Sequence, residues 1–273
     1  MLDALHYRTV GAESNPPVLV LHGWGSSAEL MMPLCEGLAD NFRAYVVDLP
    51  GHGQSPPPPE PWGIEEHVEL VRAFIRERIH SEEDASPVPI IGHSNGGRIA
   101  LFLSSLPDAS KWVDSLVLIS PSGIPRRPSL VVRLKRMVAR VLKAPLPLIP
   151  KPLRGPAEDW LRHSLLWRAL GSSDYKKLQG VMRETFVRTV NSFVDDRLSQ
   201  IHVPVVIFWG TADEAISEEQ VCRLEEGIAD AGLIRLEGSG HYGYLDDPNT
   251  VIAATQHFLQ RCLQVQRSTV PPA

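Results

Sequence analysis

A chain of 273 residues with 43% hydrophobic and 22% charged residues carries enough apolar side chain for a large core and has the composition of an ordinary globular protein. Its three cysteines (Cys35, Cys222, Cys262) are odd in number, far apart and without metal-ligand spacing, which argues against a disulfide framework or a zinc site. A formal charge of −5 speaks against nucleic acid as a partner; no leader pattern opens the chain and no apolar run approaches the ~20 residues of a membrane span, so the expected compartment is cytoplasmic.

In chain order, Tyr7 to Val10 reads as an antiparallel edge strand. Short β-branched runs at Val18 to His22, Arg43 to Asp48, Val88 to His93 and Ser115 to Ser120 then alternate with amphipathic helical stretches at Ala28 to Asp40, Ile64 to His80 and Asn95 to Leu106. After Ser120 the alternation stops for roughly eighty residues of helical pieces, interrupted by a proline-rich joint at Ala144 to Pro156. Strands resume at Val203 to Trp209 and Leu233 to Glu237, with helices at Ser217 to Ala229 and Pro248 to Cys262; the polar tail Gln266 to Ala273 is expected to fray. Strand–helix alternation predicts an α/β fold, a mostly parallel sheet covered by helices on both faces. The expected organisation is a core of residues 1–121 and 201–273, with a helical cap inserted at 122–200. Charge supports this split: Ser122 to Gln200 holds 16 basic and six acidic residues, net +10, against 11 and 26 elsewhere, net −15.

The strongest local pattern is Gly92-His93-Ser94-Asn95-Gly96-Gly97, with an apolar strand before it and a helix after it. A serine between glycines at a strand-to-helix turn is a nucleophile elbow. So tight a turn brings the flanking positions against the neighbouring strand and helix, which requires glycine there. It lifts the serine hydroxyl clear of the backbone at a helix N-terminus, where a developing anion is favoured.

Together with His22-Gly23-Trp24-Gly25, the Asp48 to Ser55 segment, Gly210-Thr-Ala-Asp213 and Gly240-His241, this elbow resembles the α/β-hydrolase superfamily over nearly the whole chain. The resemblance implies a triad in the order Ser94, Asp213, His241. Each position has a chemical reason. A serine hydroxyl needs a base to take its proton, and His241 lies in the loop after the last strand, at the carboxyl edge where open α/β sheets place their sites. Asp213 follows the preceding strand and would fix the imidazole tautomer; Glu214 is its rival. The resemblance also implies an oxyanion hole from the backbone N–H groups of Trp24 and Asn95. One departure is Ala215-Ile216-Ser217 after the acid, where the family often has a proline.

His22, His52 and His93 are expected to serve as packing or hydrogen-bonding groups, and His6, His67, His80, His163, His202 and His257 as surface or helix residues. Asp48 reads as structural, holding the Pro50–Gly53 turn. Relatives on this fold that form alkyl esters, the haloalkane dehalogenases and epoxide hydrolases, carry an aspartate at the elbow; serine points to acyl chemistry. No cofactor and no metal are expected, since zinc spacings and nucleotide fingerprints are missing. The expected activity is carboxylic ester hydrolysis on a small-molecule acyl substrate. A carbon–carbon bond hydrolase, a thioesterase, a lactonase and a small-molecule receptor are the alternatives. In the cap, Leu130 to Lys143 has an apolar stripe and a crowded basic side, either a solvated lid helix or a surface for anionic, lipid-like substrates or a membrane. Gly171 to Asn191 resembles caps of uncharacterised bacterial members of the family. Trp160, Trp167, Met182, Phe186 and Phe193 line either an acyl pocket or the cap's own core.

Overall fold

The computed structural model describes residues 1–81, 84–127 and 179–269. Seven strands form one sheet: β1 (Tyr7–Val10), β2 (Pro17–Leu21), β3 (Arg43–Val47), β4 (Val88–His93), β5 (Val113–Ile119), β6 (Val205–Gly210) and β7 (Ala231–Leu236). Their spatial order is β1-β3-β2-β4-β5-β6-β7. β1 runs antiparallel to β3, with Tyr7 opposite Val47, and every other pairing is parallel.

The two-residue side-chain period of these strands divides the interior. Leu19, Leu21, Ile90, Leu116 and Ile207 point into one apolar core, which also receives α2 (Ile64–Phe74), α3 (Asn95–Ser104) and the helix Glu218–Gly227. Val18, Val20, Ile91, Val117 and Phe208 point into the other, closed by α1 (Ala28–Leu38) and the helix Pro248–Thr269. The central strands are apolar at successive residues because both their faces are covered.

Two helices differ most from their expected extents, the others ending within about two residues of theirs. The stretch read as one helix from 64 to 80 is α2 followed by a π turn, Ile75–Ile79, closed by the His80 N–H on the Ile75 carbonyl at 2.8 Å. The last helix continues to Thr269, into the tail expected to fray. Its Gln, Val and Arg residues carry no helix breaker before Pro271, so nothing in the local chemistry stops the helix sooner.

The chain separates into two compact units, Met1–Pro125 with Gly180–Ala273, and Arg126–Gln179. The helix Gly180–Val190, inside the stretch 122–200 expected as a cap, groups with the first unit. It is tied there by three hydrogen bonds: Trp62 N–H to Thr185 Oγ1 at 3.0 Å, Arg188 to the Pro61 carbonyl, and Arg98 to the Thr189 carbonyl. The stretch Leu130 to Lys143 expected as a helix, the joint expected at Ala144 to Pro156, and Trp160, His163 and Trp167 lie outside the described residues. No described helix is long and apolar enough to cross a membrane.

Candidate active site

The residues singled out by sequence gather at the carboxyl edge of the parallel strands. Trp24 follows β2, Ser94 follows β4, Asp213 follows β6 and His241 follows β7. Loops leaving neighbouring parallel strands at one end converge, which is why this edge is where such sheets build sites.

Ser94 has φ 50°, one of only two non-glycine residues with positive φ among those described. That conformation costs on the order of 1–3 kcal/mol and persists where surrounding bonds dictate it. Here the Ser94 N–H donates to the Ile119 carbonyl at 3.0 Å, and its own carbonyl accepts from the N–H groups of Arg98 and Ser122 and from Ser122 Oγ. The flanking glycines are needed for close approach. A Cβ on Gly92 would stand 2.7 Å from the Gly97 Cα, and one on Gly96 would overlap the Leu21 carbonyl of β2. The expected collisions with the next strand and the helix are therefore the actual ones.

Asp213 and His241 meet. His241 Nδ1 lies 2.9 Å from Asp213 Oδ2, and the other carboxylate oxygen accepts the N–H groups of Ala215 and Ile216 at 2.8 and 3.0 Å. The Asp213 side chain is fully buried, whereas Glu214 is exposed. Burial alone would push the Asp213 carboxyl up. The hydrogen bonds from His241 and Ile216 and the charge of the His241 ring outweigh it, and hold the group below the usual carboxylate range. An ionised carboxylate only accepts, so Nδ1 carries the hydrogen and Nε2 of His241 is left as the basic nitrogen. The two loops are laced together, Thr211 N–H to Leu236 O at 3.0 Å and Ala212 N–H to Ser239 O at 2.9 Å. Among the described residues no hydrogen bond joins Ser94 Oγ to His241; that contact commonly tightens only with substrate bound.

Trp24, after β2, and Asn95, directly after Ser94, stand at the same edge of the sheet. Asn95 opens α3, where the first N–H groups have no carbonyl one turn earlier. The Trp24 ring packs edge-on against His52 at 4.8 Å and Phe186 at 5.0 Å. Phe186 thus packs on the loop after β2, while Phe193 is 41% exposed.

The motif histidines are structural in the expected way. His22 donates from Nδ1 to the Gly23 carbonyl and accepts the Leu49 N–H at Nε2, and burial pushes its ring down to about 4. Asp48 accepts the N–H groups of Ala28 and Gln54, as a structural acid would. Two histidines read as surface or helix residues are more engaged. His6 pairs with Asp48 at 2.7 Å, and His67, on α2, is buried and bonded to the Gly63 carbonyl. Sequence reasoning passed over Ser120, which has φ 43° and sits buried at the end of β5 beside Asp213. The only trace was its place after an apolar strand. No group of three or more His, Cys, Asp or Glu arranged to hold a metal occurs among the described residues.

The family described as alpha/beta hydrolase fold matches residues 16–248. This chain belongs to that family. Among its relatives, human monoacylglycerol lipase ABHD6 is 24% identical over 89% of this chain and 75% of its own length. The pimeloyl-[acyl-carrier protein] methyl ester esterase of Aeromonas hydrophila is 25% identical over 89% of this chain and 95% of its own. The crystal structure of a hydrolase from Pseudomonas aeruginosa superposes with a TM-score of 0.67 at 20% identity, covering 93% of this chain and 94% of that one, and has the same fold. The chain is therefore an alpha/beta hydrolase with esterase- and lipase-type homologues.

Proposed function

We propose that the protein is a serine hydrolase cleaving a carboxylic ester through an acyl-enzyme. The observation that carries this is the buried Asp213 bonded to His241 Nδ1 at the edge where the strained Ser94 elbow emerges. Ser94 Oγ attacks the ester carbonyl while His241 Nε2 takes its proton. The backbone N–H groups of Trp24 and Asn95 hold the oxyanion, and His241 then protonates the departing alcohol. Water, deprotonated by the same imidazole, releases the acid. The ester reading over thioester, lactone or carbon–carbon substrates is favoured by the relatives, one a lipase and one a methyl ester esterase by name. The substrate side of the proposal includes the helical insertion 122–200 as a cap, whose basic composition suits an anionic or lipid-like acyl group. Free cysteines fit a cytoplasmic setting.

The test is turnover of p-nitrophenyl esters of graded chain length by the parent and by Ser94→Ala. The variant is expected to lose at least about a thousandfold in kcat while keeping its melting temperature. Full activity in Ser94→Ala would remove the proposal.

A further inference from the structure

Ser94 and His241 stand on loops far apart in sequence, and a proton relay between them needs their separation held to a fraction of an ångström. One side chain touches both loops. His93, the last residue of β4 and the neighbour of the nucleophile, is 1% exposed, and its Nε2 lies 3.0 Å from the main-chain carbonyl oxygen of His241. A carbonyl only accepts, so the hydrogen is on Nε2. The His93 ring lies 4.9 Å from the His241 ring, 5.0 Å from Tyr242 and 5.3 Å from Tyr244, centroid to centroid. Its other nitrogen, Nδ1, is buried with no hydrogen-bond partner and faces the loop after β2. A Cβ placed on Gly23 would stand 2.8 Å from that Nδ1 and 3.1 Å from the Ser94 Cβ. A single imidazole is thus wedged between the oxyanion loop, the elbow and the base-bearing loop.

We propose that His93 is a positioning residue for the general base: as a neutral ring it donates Nε2–H to the His241 carbonyl and so sets the distance between the His241 loop and the adjacent nucleophile. The proposal rests on the Ser94–Asp213–His241 reading. Neutrality follows from the surroundings. A second proton would sit on Nδ1, against Gly23 and without an acceptor, in a buried place. Of the titratable groups facing it, His241 and His22 oppose a further positive charge and Asp213 favours one, while the Tyr242 and Tyr244 rings pack on it as well. Burial dominates and, with the two histidines, pushes the ring down to about 3. The dipole therefore stays constant while the His241 imidazole gains and loses its proton, and it reaches His241 through the backbone, leaving the imidazole nitrogens free for Asp213 and Ser94.

The experiment compares His93→Leu, which fills similar space without a donor, with His93→Gln, whose side-chain amide nitrogen reaches the place of Nε2. With a p-nitrophenyl ester, His93→Leu is expected to lower kcat about tenfold to a hundredfold with KM within about threefold, and His93→Gln to recover most of that loss. A fluorophosphonate reacting with Ser94 should slow in parallel in His93→Leu. Should His93→Leu fail to fold, His93→Asn, whose amide is too short to reach the carbonyl, takes its place. Equal losses in the donor and donor-less variants, or a kcat within about threefold of the parent in the donor-less one, would overturn the proposal. If Ser94→Ala still turns over substrate, the underlying reading fails instead; if it is inactive and His93→Leu is not, only the role of His93 falls.

Discussion

Lowering the pH should weaken this fold well before Asp48 and Asp213 titrate. His22 and His93 are both essentially inaccessible, and burial holds them down from the ordinary 6.5 to about 4 and about 3. Above pH 6.5 the rings are neutral whether the chain is folded or not, and they contribute no pH dependence. Below that, the unfolded chain takes up a proton at each site and the folded one does not, so stability falls with pH by about 1.4 kcal/mol per unit per group. At pH 5 each ring has cost about 2 kcal/mol, together about 4 kcal/mol. His52 and His67 are also held down by burial and act with the same sign. Asp48 and Asp213 do not mask the effect. Their carboxyls are held below the usual range, so the stability they supply is intact at pH 5 and is lost only as pH falls further. A loss near 4 kcal/mol is a large part of the 5–15 kcal/mol typical of a domain. Urea unfolding followed by tryptophan fluorescence at pH 8 and pH 5 measures it by linear extrapolation. A difference below about 1 kcal/mol would refute the claim that both rings stay neutral in the folded protein.

Two further outcomes are expected. Asp213→Asn presents an N–H where the carboxylate now only accepts, so kcat for an ester should fall on the order of 10⁴-fold with the fold retained, while Glu214→Gln stays near the parent; a fall below tenfold contradicts the acid assignment. Gly96→Ala forces a Cβ into the Leu21 carbonyl and should destabilise by roughly 1–3 kcal/mol or more in urea melts, with kcat reduced as well. Parent-like stability there would mean that the elbow is looser than drawn.

Much of this architecture could be read before any coordinates because it is encoded locally. The strand cores were found because both faces of β2, β4, β5 and β6 are buried, so their residues are apolar in succession, and the helices because their apolar positions repeat with the helical period. The Ser94 elbow was legible because the steric requirement, though set partly by β2, is written locally as glycines on both sides of one serine. Asp213 and His241 came from the likeness of their motifs to the family, supported by their places after strands, and the fold shows Asp213 rather than Glu214 turned inward onto His241.

What the string of residues determined by itself was whatever chain neighbours impose on one another: element type and the tight serine turn. Tertiary structure alone decided which of the nine described histidines lie in the dark interior, that His6 pairs with Asp48, that Ser120 is strained beside Asp213, and that His93 reaches the backbone of His241. Burial and cross-loop bonds arise between segments brought together by the sheet, and desolvation depends on every side chain packed around a group, so no window along the chain contains them.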